Sequence, residues 1–148
     1  MIITSPSFAD DGAIPRKFTC EGGDINPELQ IQNVPDGARC LALVVHDPDA
    51  PMEGGFTHWI VWDIAPGTLL IKEESVPPGS KEGANGAGRV GYMGPCPPPG
   101  PAHRYEFRLY ALDAVPDLSE GASYGVFMDA IRGSIVAEAL LTGRYGRE

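Results

Sequence analysis

Two aspartates, two histidines and a tyrosine stand out because each falls where an apolar run begins or ends. Asp47 and Asp49 lie in D-P-D-A-P, directly after the run C-L-A-L-V-V from Cys40 to Val45. His58 opens the segment F-T-H-W-I-V-W, and His103 and Tyr105 open H-R-Y-E-F-R-L-Y-A-L. Pro48 and Pro51 fix their own φ and bias the preceding residues toward extended backbone. The aspartates therefore sit on a stiff mount, and ordering such a mount around a ligand costs little further entropy.

Several chemistries are open to this set. A carboxylate beside an imidazole fixes its tautomer and favours the charged ring. The same groups could pin three strands together as a buried polar cluster. Carboxylate and imidazole also suit divalent metals, although the spacing is no recognised metal signature. Cys96 and His103 could form a thiol–base pair, but no third, orienting residue is evident. The residue pattern by itself leaves these alternatives open.

The elements that must position these residues read as short strands. Candidates are Ile2 to Thr4, Leu29 to Val34, Cys40 to His46, Trp59 to Ile64, Leu69 to Ile71 and Tyr105 to Leu112. In the last, Tyr105, Phe107, Leu109 and Ala111 share one face, and Glu106, Arg108 and Tyr110 the other. Along the Cys40 strand Leu41, Leu43, Val45 and Asp47 share a face, so His46 points away from Asp47. One helix is predicted near the C-terminus, with Ser123 as N-cap and Val126, Phe127, Ala130, Ile131 and Ile135 at helical spacing. Gly133 weakens it. Ala139 to Tyr145 could form a closing strand. The turn-rich stretch Pro77 to Gly91 is either a mobile flap or an idle surface loop.

Composition narrows the function classes. The chain has 148 residues and 43% hydrophobic content, which suits one globular domain over residues 1–148. The 19 Gly and 15 Pro fall between short apolar runs, as in an all-β sandwich. A net charge of −9 argues against nucleic acid and against stable docking on anionic membranes. The N-terminus M-I-I-T-S-P has neither a basic n-region nor an apolar h-region, so the chain reads as cytoplasmic. The 3 Cys have the spacing of neither a disulfide framework nor a zinc motif. Cys40, inside the apolar run, reads as a small buried hydrophobe.

The ordered set of motifs resembles the phosphatidylethanolamine-binding protein (PEBP) family, and most closely its bacterial and archaeal Raf-kinase-inhibitor-like branch. The matching segments are F-T-C-E-G-G-D-I-N-P, D-P-D-A-P, T-H-W and G-Y-M-G-P-C-P-P, followed by H-R-Y-E-F-R-L-Y-A-L. The resemblance implies a mainly β fold: an antiparallel, Greek-key-like β-sandwich with a peripheral C-terminal helix. It maps Asp47, Asp49, His58, His103 and Tyr105 onto an anion-binding pocket, with Gly94, Pro97 and Pro98 as its wall. His46 departs from the family pattern, which often has an acidic residue there, and reads as a surface or satisfied histidine. Cys20 and Cys96 both lie in segments typical of the branch, so the two could be near one another. A cytoplasmic compartment argues against a stable bridge between them.

In this reading a histidine oriented by a carboxylate donates its other ring N–H to a phosphate oxygen. Glycine lets backbone N–H groups approach the anion, and Tyr105 adds a neutral donor. A phosphate has few heavy atoms, so at about −1.5 kcal/mol per atom its binding is limited to roughly micromolar. The expected function is binding of a small anion or phosphorylated ligand, with no cofactor, no metal and no catalytic role. The alternative is an inhibitor of a protein kinase or protease that uses the same pocket region. The third reading is a metal- or thiol-dependent hydrolase. Whether the chain forms a homodimer is left open.

Overall fold

Alternating and continuous apolar runs make the longer strands of this chain, and turns rich in Gly and Pro separate them. The computed structural model describes residues 1–148. The strands are β1 (Ile2–Thr4), β2 (Gly12–Ala13), β3 (Leu29–Gln32), β4 (Cys40–Asp47), β5 (Phe56–Ile64), β6 (Leu70–Ile71), β7 (Lys81–Glu82), β8 (His103–Leu112) and β9 (Ile135–Tyr145). One helix, α1 (Tyr124–Ile131), precedes β9. Strands β1-β3-β6 form a small sheet, and β2-β9-β8-β4-β5-β7 form a large one. All pairs are antiparallel except β2 with β9.

The run C-L-A-L-V-V is apolar on both faces because β4 lies inside the large sheet, between β8 and β5. Its front residues Leu41, Leu43 and Val45 join Ile3, Leu29, Ile31, Phe107 and Leu109 in the core between the sheets. Its back residues Cys40, Ala42 and Val44 pack with Trp62, Tyr110, Phe127 and Ile131 beneath the helix. The sandwich with a peripheral helix follows from these two packed faces. β8 alternates as its sequence requires, with Tyr105, Phe107, Leu109 and Ala111 in the front core.

The β4–β5 ladder has two irregularities. Leu41 faces Ile64 and Leu43 faces Val61, so β5 carries one extra residue there. Asp63 absorbs it at a φ of +56°, in the left-handed region that Asp tolerates better than most residues. Val45 faces Trp59 and His46 faces Thr57, which makes His58 the second extra residue.

Ser123 caps α1 by accepting the Val126 N–H. The helix stops at Ile131, and Gly133 falls in the tight 3-10 turn after it. Ile135 therefore starts β9 instead of extending the helix, and the closing strand is longer than the 139–145 expected. The stretch from Pro77 to Gly91 is neither flap nor idle loop. Lys81 and Glu82 form edge strand β7 against Trp62 and Val61. Gly83 and Gly86 donate to the carbonyls of Ile60 and Thr57, and Glu82 accepts the Trp59 indole N–H at 2.7 Å.

Cys20 and Cys96 form a disulfide, against the expectation drawn from a cytoplasmic compartment. Spacing in sequence could not show it, because the two cysteines are 76 residues apart and meet only once the loops fold. Both half-cystines are exposed, and Cys40 is the free, buried cysteine. Closing so long a loop restricts the unfolded chain, so reducing the bridge should lower stability by about 2–4 kcal/mol. Urea denaturation with and without a phosphine reductant measures this. An unchanged midpoint, with both thiols shown to be free after reduction, would show that the bridge constrains nothing.

Candidate functional site

β4 runs toward one end of the sandwich, and β5 and β8 start from that end on either side of it. Front-facing residues at the last position of β4 and the first positions of β5 and β8 must therefore converge. They enclose a cavity of about 430 Å³ lined by Asp47, Phe56, His58, His103 and Tyr105. Simple alternation would turn His58 to the back with Ile60 and Trp62. The bulge adds one residue, so His58 shares the front face with Trp59 opposite Val45. Pro51, Met52, Met93, Pro97 and Pro98 complete a largely apolar rim.

Asp47 is 3% exposed and both of its oxygens are engaged. Oδ1 accepts the Asp49 N–H at 2.8 Å, and Oδ2 accepts from His103 Nδ1 at 2.7 Å. With Nδ1 carrying the proton to Asp47, His103 keeps Nε2 for another partner. His58 follows the same logic with a different acceptor, as its Nδ1 lies 2.6 Å from the Met93 carbonyl. Burial pushes the His58 pKa below its ordinary value, partly offset by the Met93 carbonyl and the Asp47 charge. The Tyr105 hydroxyl is buried and has no hydrogen-bond partner. Burial first, and the Asp47 charge second, push its pKa up, so it remains a donor. The rings pack edge to face, Phe56 on His58 and His58 on Tyr105.

Two residues assigned to the pocket from sequence do not line it. Asp49 points outward and holds Arg104, accepting from its backbone N–H at 2.8 Å and from Nε and Nη2 of its side chain. Those hydrogen bonds lower the Asp49 pKa to about 2. Its part is to fasten the D-P-D-A-P turn to the start of β8. Gly94 is buried behind the wall, and its N–H donates to Asp24 Oδ1 at 2.7 Å. A Cβ there would lie 2.3 Å from the Phe18 carbonyl, so the glycine serves close packing and leaves no N–H for an anion. Pro97 and Pro98 line the cavity as expected.

His46 faces the back sheet surface, where Nδ1 meets Thr57 Oγ1 at 3.1 Å and Nε2 meets the Gly54 carbonyl at 2.7 Å. It also stacks on Tyr124. Cys96 lines the cavity but is committed to its disulfide, which leaves no free thiol beside His103. No group of three or more His, Cys, Asp or Glu is arranged to hold a metal ion. The residue that sequence reasoning missed is Arg147, which reaches the cavity from the C-terminal tail. No local pattern marks it.

A family model described as phosphatidylethanolamine-binding protein matches residues 4–146. The chain belongs to the PEBP family. A UPF0098 protein of the archaeon Methanothermobacter thermautotrophicus is 44% identical, with 99% of each chain covered. A crystal structure of a PEBP homologue from Chlamydia trachomatis superposes with a TM-score of 0.94 at 38% identity, covering 99% of this chain and 97% of that one. The Escherichia coli protein YbcL, described as a new member of the mammalian PEBP family, superposes at 0.93 with 28% identity, covering 99% and 98%. The sandwich and the helix of this molecule are thus those of a PEBP-family chain.

The depressed His58 pKa sets a sign for stability. Unfolded histidine binds protons near pH 6.5 while folded His58 does not, so the unfolded state binds more protons just below that pH. The contribution is full above about pH 6.5 and is lost as pH falls through the folded pKa. Thermal unfolding of the His58→Gln variant should show a shallower loss between about pH 6.5 and 5 than the parent chain. NMR titration placing His58 above the ordinary histidine value would contradict the assignment.

Proposed function

We propose that this PEBP-family chain binds small oxyanions, and specifically the phosphoryl group of a phosphorylated ligand, in the cavity between Asp47, His58, His103 and Tyr105. The observation that carries the reading is the pairing pattern of the polar groups. Asp47 and the Met93 carbonyl each occupy one histidine Nδ1. That leaves two imidazole Nε2 positions and the Tyr105 hydroxyl without a protein partner in one cavity. When the rings are protonated, all three are donors and none is an acceptor of comparable strength. An oxyanion is the complementary ligand. Asp47 has no oxygen to spare and acts by orienting His103.

The cavity is far larger than a phosphate group, since a water molecule takes only about 30 Å³. Its rim of Phe56, Met52, Met93 and Pro51 suits an apolar body attached to the phosphoryl group. A phosphomonoester with an aromatic or aliphatic portion therefore binds more tightly than inorganic phosphate. Binding rather than turnover fits the site, because the oriented groups are donors and the cavity's cysteine is held in a disulfide. That same exposed bridge weighs against the cytoplasmic location expected from the N-terminus.

Thermal-shift and calorimetric titrations with sulfate and phenyl phosphate test the reading. Sulfate keeps its charge across the histidine range, whereas a phosphomonoester titrates near pH 6. Sulfate affinity should rise as pH falls from about 8 to 6, because a neutral His58 must take up a proton before Nε2 can donate. A pH-independent sulfate affinity would remove the histidines from the account. Asp47→Asn should weaken binding about tenfold by loosening His103 and removing the charge that balances a protonated ring. Asp49→Asn, a change to an outward-facing ion pair, should leave it within about twofold. Equal effects of the two variants would contradict the division of roles between these aspartates.

A further inference from the structure

The cavity between Asp47, His58, His103 and Tyr105 has a charge problem. Asp47 puts a buried carboxylate at its floor, and burial keeps His58 neutral at and above neutral pH. The chain as a whole carries −9, so no general field draws an anion in. Tyr105 contributes a dipole and no charge. A site with only these groups would repel a dianion at the pH of most cells.

One further lining residue resolves this. Arg147 is the lone Lys or Arg among the cavity residues. The tail that carries it is fixed, because Gly100 donates to the Arg147 carbonyl at 3.0 Å and Pro99 and Arg147 pair as a parallel bridge. Gly146 permits this approach, since a Cβ there would lie 3.1 Å from the Ala102 Cα. The guanidinium itself rests on the disulfide, with Nη1 3.2 Å from Cys96 Sγ and 4.0 Å from Cys20 Sγ. Sulfur is a weak acceptor, so these contacts position the group without satisfying it.

Burial without a carboxylate partner sets Arg147 apart from the other arginines. Arg104, Arg108, Arg132 and Arg144 each lie within salt-bridge distance of a carboxylate. Arg16, Arg39 and Arg89 lack such a partner but are exposed to water. Arg147 has none within 4.0 Å, although acidic residues outnumber basic ones by 20 to 11. A half-buried arginine with a fixed backbone, no carboxylate and unfilled donors, lining the same cavity as an unpartnered Tyr105 hydroxyl, is a cation awaiting an anion.

We propose that Arg147 is the permanent cation of the pocket and donates to the bound phosphoryl group, with the Cys20–Cys96 disulfide as its platform. The inference rests on the anion-binding reading and adds to it the group that makes a dianion acceptable at neutral pH. It also gives the exposed disulfide a role at the site, since the bridge holds the Pro95 to Pro99 wall against Cys20 and supports the guanidinium. The planar fork of Arg147 can take two oxygens of a phosphoryl group at once, which a lysine cannot.

The test is sulfate and phenyl phosphate titration at pH 8, where His58 is neutral, on the parent chain and on Arg147→Gln and Arg147→Lys. Arg147→Gln should lose roughly 10- to 100-fold in affinity. The affinity that remains should also depend less on added chloride, a readout that a merely structural residue would not move. Arg147→Lys should fall between the two, because it keeps the charge and loses the fork. In the unmodified protein, saturating sulfate should slow reaction of Arg147 with an arginine-selective dicarbonyl reagent, a measurement that needs no variant to fold. Arg147→Gln binding within about twofold of the parent, or dicarbonyl modification of Arg147 that sulfate does not slow, would overturn the role of Arg147 and leave the pocket standing. A parent chain that binds neither anion would overturn the anion-binding reading itself and this inference with it.

Discussion

The contact between Asp47 Oδ2 and His103 Nδ1 organises the functional end of this protein. It joins the last residue of β4, itself almost fully buried, to the first of β8. A buried carboxylate is tolerable only when its oxygens are matched, and here the second oxygen takes the Asp49 N–H. That second bond folds the D-P-D-A-P turn back on itself, and Asp49 then clamps Arg104 on the outside. One buried charge thereby fixes the turn, the start of β8 and the tautomer of a histidine. The orientation of the His103 ring is a consequence of satisfying Asp47, while the Met93 carbonyl sets that of His58.

The sandwich supplies the rest by geometry. Antiparallel neighbours place the end of one strand beside the starts of two others, and alternation sends their last residues to the same face. A single extra residue in β5 brings His58 into that group. On the far side the wall is built of prolines and held by the disulfide. The apolar rim and the charged floor are then separate parts of one cavity, which suits a ligand with an anionic head and an apolar body.

Much of this was legible in the sequence, for identifiable reasons. Apolar alternation in β8 and the continuous run of β4 are period-two signals that survive into the fold, and Ser123 capped its helix as its chemistry suggests. Asp47, His58, His103 and Tyr105 were visible as polar residues at strand mouths. Asp49 misled because motif adjacency does not say which of two aspartates faces inward; Arg104 decides that from another strand. Gly94 misled because a glycine beside a pocket can serve packing against Phe18 as well as ligand approach. The disulfide and Arg147 were hidden for a common reason: both depend on contacts between segments far apart in the chain. The bulge at His58 is likewise a property of strand pairing, and parity in one strand cannot reveal it.

The central claim is that the free Nε2 positions of His58 and His103 face a bound oxyanion while His46 does not. Imidazole nitrogen NMR of the ¹⁵N-labelled protein addresses it directly. Before ligand, His103 and His58 should both show a protonated Nδ1, held by Asp47 and by the Met93 carbonyl. Adding phenyl phosphate near pH 6.5 should shift the Nε2 signals of these two rings toward the protonated range and leave the His46 resonances in place. Unmoved His58 and His103 signals at saturating ligand, or a response confined to His46, would contradict the account.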